Sequence, residues 1–136
     1  MAIAKTLTLE VATPKGLALS AEVDSVQAPS VHGEFGVLPG HLPLLAALRS
    51  GLLKYRRDGK DLVAAVGPGF AEAGPTKVTL LVDAFAASSD IDRAAAQADL
   101  EAAEKELKAG ADATRAEELR HSVEWATARI AAAGLD

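Results

Sequence analysis

Residues Gly33–Leu45 read GEFGVLPGHLPLL. Three Gly and two Pro break any helix, yet Phe35, Val37, Leu38, Leu42, Leu44 and Leu45 supply more apolar surface than an ordinary loop needs. Such a stretch reads as stiff turns between strands. Its apolar side chains enter a core or meet a partner, and Glu34 and His41 are left as the polar pair.

Outward from this stretch, the first half of the chain has the period of strands. In KTLTLEV, Leu7, Leu9 and Val11 alternate with Thr6, Thr8 and Glu10. Thr13-Pro14-Lys15-Gly16 is a turn signal, and Val23 and Val26 break strict alternation, which predicts a bulge between Glu22 and Ala28. GLLKYRR and DLVAAVG flank Asp58-Gly59, a dipeptide suited to a type I′ hairpin turn. Gly67-Pro68-Gly69 predicts another turn, followed by FAEA and a last apolar strand, KVTLLVDAF, over Lys77–Phe85. Many short strands separated by Gly and Pro turns suggest a sandwich or barrel.

The second half changes period. Ala, the best helix former, dominates from Ala84 onward. Ser89 and Asp90 offer an N-cap, with Asp90 and Asp92 favourable at the positive end of the helix dipole. Gly110 ends one helix, Asp112 or Thr114 caps a second, and Gly134 closes it. The short connection makes the two helices antiparallel neighbours. Ala96, Leu100, Ala103 and Leu107 form one seam; Ala116, Leu119, Val123, Ala126, Ile130 and Ala133 form the other. Small side chains bury little area, so the hairpin should dock shallowly on the strands, as an arm able to detach or as a fixed cap. Trp125, the only Trp, lies off the seam, where it covers the seam edge, packs on the sandwich or meets another protein.

The net charge of −5 is confined to this second half: Lys/Arg and Asp/Glu balance up to Asp83. No basic stripe with aromatics points to nucleic acid. There is no Cys, and His32, His41 and His121 have no ligand spacing. No run approaches the ~18 apolar residues of a membrane span, and the N-terminus lacks the apolar run of a signal peptide. The chain therefore reads as soluble, in a reducing compartment or at a membrane periphery. Gly67-Pro68-Gly69 begins like a dinucleotide fingerprint, but Glu72 occupies the third Gly position, so a tight turn is the better reading. Glu34 and His41 as an acid–base pair lack a nucleophile or orienting group.

These residues support a resemblance. GEFGVLPGHLPLL is similar to the signature of the epsilon subunits of bacterial F-type ATP synthases (delta in mitochondria), and Ala47-Leu48 and Gly51-Leu52-Leu53 continue it in spacing. Gly67-x-Gly69-Phe70-Ala71-Glu72 is similar to the family's glycine turn, with Pro68 a departure, and Val78-Thr79-Leu80-Leu81 to its last strand. The resemblance implies an N-terminal β-sandwich of about ten short strands (residues 1–86) and a C-terminal antiparallel α-helical hairpin (residues 87–136).

It further implies a rotor subunit of the central stalk, non-catalytic, without a cofactor, peripheral at the cytoplasmic face of the bacterial inner membrane. The implied partners are the gamma subunit, the ring of c subunits, and, when the hairpin extends to restrain ATP hydrolysis, the alpha and beta catalytic subunits. Glu34 and His41 fall at the face toward the c ring. Val37, Leu38, Leu44 and Leu45 fill the core or face gamma. Arg115, Arg120 and Arg129 are the hairpin residues placed to meet the catalytic head, but Glu117, Glu118 and Glu124 accompany them, so restraint of hydrolysis should be weak. Some members bind ATP on the hairpin. Ile91, Asp92 and Arg129 match that site, whereas Ala95 stands where its motif has Arg and Trp125 where a second-helix Arg stands, so weak or no ATP binding is expected. The competing reading is a free-standing β-sandwich module that oligomerises through its helical seam.

Overall fold

The computed structural model describes residues 5–135. Residues 1–4 and Asp136, which fall in the expected sandwich and hairpin, lie outside the described residues. Ten strands precede the helices: β1 (Leu7–Thr13), β2 (Gly16–Val23), β3 (Ser25–Ser30), β4 (Gly33–Val37), β5 (Leu44–Leu48), β6 (Gly51–Arg57), β7 (Lys60–Val66), β8 (Gly69–Ala73), β9 (Lys77–Val82) and β10 (Phe85–Ala87). The fold is a β-sandwich followed by two helices, as the sequence predicts. The strands form one path, β10-β7-β6-β3-β5-β8-β9-β1-β2, with β4 paired to β3. The path folds into two layers where β3 and β5 meet through the single pair Ser30 and Leu48. One layer is β10-β7-β6-β3-β4; the other is β5-β8-β9-β1-β2.

The inward residues of both layers form one apolar core. Leu7, Leu9 and Val11 of β1 are fully buried, as their alternation predicts, and they join Val26, Val37, Leu53, Val66, Val78 and Leu80. The β6–β7 hairpin forms across Asp58-Gly59, whose φ values of 53° and 75° are both positive, as a type I′ turn requires.

Three expectations shift. The bulge lies in the β1–β2 pair, where the register slips between Val11 and Ala12, and not between Glu22 and Ala28. There the chain instead breaks at Asp24, which lets both Val23 and Val26 point inward. The run KVTLLVDAF is two strands in different layers. β9 runs parallel to β1, and β10 crosses over to pair with β7. The crossing brings the chain against Gly67 and Gly69. A Cβ on Gly69 would lie 1.9 Å from the Leu81 carbonyl oxygen, and one on Gly67 would lie 1.9 Å from Asp83 Oδ1. These glycines thus permit close backbone approach as well as a turn.

A short 3-10 turn, Ser88–Asp90, leads to α1 (Arg93–Ala109) and α2 (Ala113–Ala132). The N-cap of α1 is Asp92, whose side chain accepts from Ala95 N, and not Ser89 or Asp90, which the 3-10 turn occupies. Asp112 caps α2, accepting from Arg115 N. Ala96 and Ala103 of α1, with Leu119 and Ala126 of α2, are buried along the expected seams. A second face of α2, unpredicted, docks on the sandwich. Ala128 and Ala132 pack on Val63 and Ala65 of β7, with Leu52, Ile91 and Trp125 at the margin. Trp125 thus packs on the sandwich, one of its three expected settings.

Replacing fully buried Leu80 by Ala should destabilise the protein by about 2–5 kcal/mol in urea unfolding. The outward neighbour substitution Leu81→Ala should stay within about 0.5 kcal/mol.

Candidate functional site

β4 ends at Val37, and Leu38–Pro43 makes an ordered bend into β5. Gly40 takes φ 87° and donates its N–H to the Pro75 carbonyl at 2.8 Å, while His41 N donates to Leu38 O at 3.1 Å. The bend is therefore stapled to the β8–β9 turn. Glu34 lies on the outward face of β4 and pairs with Lys54 at 3.7 Å, both about half exposed. His41 Nδ1 lies 2.5 Å from the Leu42 carbonyl. A carbonyl only accepts, so Nδ1 carries the proton and Nε2 of the neutral ring is an acceptor. Glu34, near the start of β4, and His41, in the stapled bend beyond its end, thus hold different partners.

The four apolar residues singled out in this segment divide. Val37 is in the core, whereas Leu38, Leu44 and Leu45 reach solvent, Leu38 and Leu45 to 63% and 72%. Leu45 borders a larger feature that the sequence reading did not single out. Direct cross-strand register joins Ala47 to Phe70, Phe70 to Leu81, Leu81 to Ala12, and Ala12 to Leu17. This apolar row crosses all five strands of the layer opposite the hairpin. Phe70, Leu81 and Leu17 stand 58%, 57% and 62% exposed. Isolated exposed apolar residues are ordinary, but a contiguous row marks an interaction surface. The signal was present: Phe70 and Leu81 are large apolar residues out of phase with the buried Ala71 and Leu80.

The next row is polar. Glu72, Thr79, Glu10 and Ser20 are aligned across β8, β9, β1 and β2, Lys77 pairs with Glu10, and only on β5 is the row apolar, at Leu45. The apolar row therefore has a polar border on one side, the arrangement of a docking patch with a rim.

On the hairpin, the three singled-out arginines are engaged by its own acids. Arg115 grips Glu106 with Nε at 2.6 Å and Nη2 at 2.8 Å, and reaches Glu118 at 3.0 Å. Arg120 meets Glu117 at 3.2 Å. Arg129 meets Asp99 at 2.8 Å and lies 5.6 Å from the centre of the Trp125 ring. Hydrogen bonds from Arg115 hold the Glu106 carboxyl below the ordinary carboxylate range; partial desolvation opposes this and Coulombic attraction assists it. Of the residues matched to a nucleotide site, Asp92 spends its carboxylate on the α1 cap, Ile91 packs in the docking cluster and Arg129 is held by Asp99. The seam on which helical oligomerisation would depend is occupied inside the hairpin. Among the described residues no group of His, Asp and Glu suits a metal ion.

Residues 6–88 match the model of the ATP synthase delta/epsilon chain, β-sandwich domain. This chain belongs to the ATP synthase delta/epsilon family. The ATP synthase epsilon chain of Nitratidesulfovibrio vulgaris (strain DP4) is 49% identical over 88 residues, which span 65% of this chain and 66% of that one, just under two thirds. The epsilon chain of Magnetococcus marinus is 40% identical over 128 residues, 93% of each chain. A chain of the Euglena gracilis mitochondrial ATP synthase (OSCP/F1/c-ring) has the same fold, with TM-score 0.84 at 22% identity over 97% of this chain and 84% of that one. A chain of the Tetrahymena thermophila mitochondrial ATP synthase central stalk and c-ring gives TM-score 0.59 at 15% identity over 96% of this chain and 99% of that one. The family is that of an ATP synthase subunit, so the expectation of a subunit and not a free-standing enzyme holds.

In Arg115→Gln, the Glu106 titration followed by carboxyl carbon NMR should move up toward 4.5, its ordinary value. A lowered folded-state pKa stabilises above the unfolded value and loses that contribution as pH falls through the folded value. The Arg115–Glu106 tie should therefore weaken only below pH 4.5, and the variant should lack that acid-side change.

Proposed function

We propose that this chain acts in the central stalk of an ATP synthase. There its sandwich (residues 1–86) joins the gamma subunit to the ring of c subunits, and its hairpin (residues 87–136) restrains ATP hydrolysis weakly. The observation that carries this reading is the division of the two outer faces: the hairpin covers one layer, and the apolar row from Ala47 to Leu17 leaves the other open. In this reading gamma packs on that row, with Leu45 beside it. Glu34 on β4 and His41 on the stapled bend meet the polar loops of the c ring. The hairpin, once extended, presents Arg115, Arg120 and Arg129 to the alpha and beta subunits. The membrane is reached through the complex at the cytoplasmic face of a bacterial inner membrane; no helix among the described residues is long and apolar enough to cross one.

The gamma contact is tested by co-purification. Phe70→Ser with Leu81→Ser should raise the dissociation constant for gamma about tenfold or more, because large apolar groups at an interface centre act as hot spots. Both side chains point outward, so the circular dichroism spectrum should stay the same. Unchanged binding would remove gamma from this face.

The ring contact has a separate test. An exposed pair such as Glu34–Lys54 contributes at most about 1 kcal/mol to stability, so Glu34 is available to exchange partners. Glu34→Ala with His41→Ala should lower ATP-driven proton pumping by the reconstituted complex while the sandwich melts as before. Normal pumping in that double variant would sink the assignment.

A further inference from the structure

Ser88 is 2% exposed and opens the 3-10 turn between β10 and α1. Its Oγ donates to the Ala132 carbonyl at 2.6 Å and accepts from the Leu135 N–H at 3.0 Å, contacts that span 44 and 47 residues of chain. The last carbonyls of a helix have no partner within it. Ala133 N takes Arg129 O, and Leu135 N also approaches Ala132 O at 3.3 Å. Ser88, which precedes α1 in sequence, therefore caps the C-terminal end of α2 across the base of the hairpin.

The surrounding contact makes this hydroxyl matter. The docking cluster is built mostly from small groups: Ala128 and Ala132 on Val63 and Ala65, with Leu52, Ile91 and Trp125 at its edge. Methyl groups of Ala contribute little area each. A buried two-way hydrogen bond is directional, and losing it leaves Ala132 O without its shortest partner. Ile91, three residues after Ser88, is itself in the cluster, so turn and cluster are one contact region.

We propose that Ser88 is the clasp that keeps the hairpin docked: its hydroxyl pins the C-terminal end of α2 to the β10–α1 connection, and its loss releases the arm from β6 and β7. The effect on ATP hydrolysis rests on the function proposed above; the clasp itself does not.

Trp125 reports docking directly, because it is the only Trp and packs at the cluster margin. In the full chain, Ala128→Glu places a charge in the buried cluster and supplies the undocked reference spectrum. Ser88→Ala should shift Trp125 emission toward that reference and increase its quenching by acrylamide. Amide exchange at Ala133 and Leu135 should speed about tenfold, while Leu9, Leu53 and Leu80 in the sandwich keep their protection. Unchanged emission and exchange would overturn the clasp. So would a matching loss of protection in the sandwich strands, which would make Ser88 a support of the whole fold. With the variant in the assembled complex, altered ATP hydrolysis extends the clasp to regulation. Release of the hairpin with hydrolysis unchanged leaves the clasp standing and removes the hairpin from control of the enzyme.

Discussion

The burial of Val63 and Ala65 sets the arrangement of the rest. Both side chains point out of their layer, away from the core that holds Leu53, Ala64 and Val66, and both are nonetheless covered. A strand that is apolar on both sides must be buried on both sides. Ala128 and Ala132 of α2 meet that requirement, which fixes which layer the hairpin covers. It also fixes which layer is left to present Phe70, Leu81 and Leu17 to something outside the chain.

The strands were legible wherever one face is wet. Leu7, Leu9 and Val11 reveal β1 because Thr8 and Glu10 separate them, and Asp58-Gly59 reveals the β6–β7 hairpin because few other residues accept two positive φ values. Legibility falls where apolar residues are continuous. DLVAAVG carried a docking signal in its unbroken run, but such a run does not say what covers its second face. KVTLLVDAF concealed a crossing between layers, because a strand in either layer has the same composition. The close approach of Gly67 and Gly69 to Leu81 and Asp83 is a tertiary fact, and a glycine needed for a turn looks the same in sequence as one needed for contact. The cap moved two residues, from Asp90 to Asp92, because adjacent acidic and hydroxyl residues are all competent caps and packing selects among them.

Of the singled-out residues, the ones whose setting could be read were those with a local physical reason. Val37 shares the inward face of β4 with Phe35, alternating with Glu34 and Gly36, and enters the core. Leu38, Leu44 and Leu45 adjoin turns, where inside and outside are set by backbone bends invisible to periodicity. The arginines are clearer in structure than in sequence. Arg115 faces Glu106 across the hairpin, nine positions away, a pairing that neither helix alone predicts.

Those pairings bear on how the hairpin would exchange partners under the proposed function. Arg115, Arg120 and Arg129 bring their charge to the hairpin already neutralised by Glu106, Glu117, Glu118 and Asp99. Arg115 and Arg120 and their acids are largely exposed, and exposed pairs contribute only about 0–1 kcal/mol each, so exchanging one acid for another costs little. Arg129 differs. Its side chain is only 18% exposed, it lies near the Trp125 ring, and its carboxylate is on α1. Pulling it away breaks a tie between the two helices near the docking face. The tip of the hairpin is thus electrostatically adaptable, while its base is held by Arg129 on one side and the buried Ser88 hydroxyl on the other. Under the proposed function the arm would leave as one unit about its base; separating its helices would cost the whole Ala and Leu seam, whereas leaving the sandwich uncovers only the smaller cluster around Ala128 and Ala132.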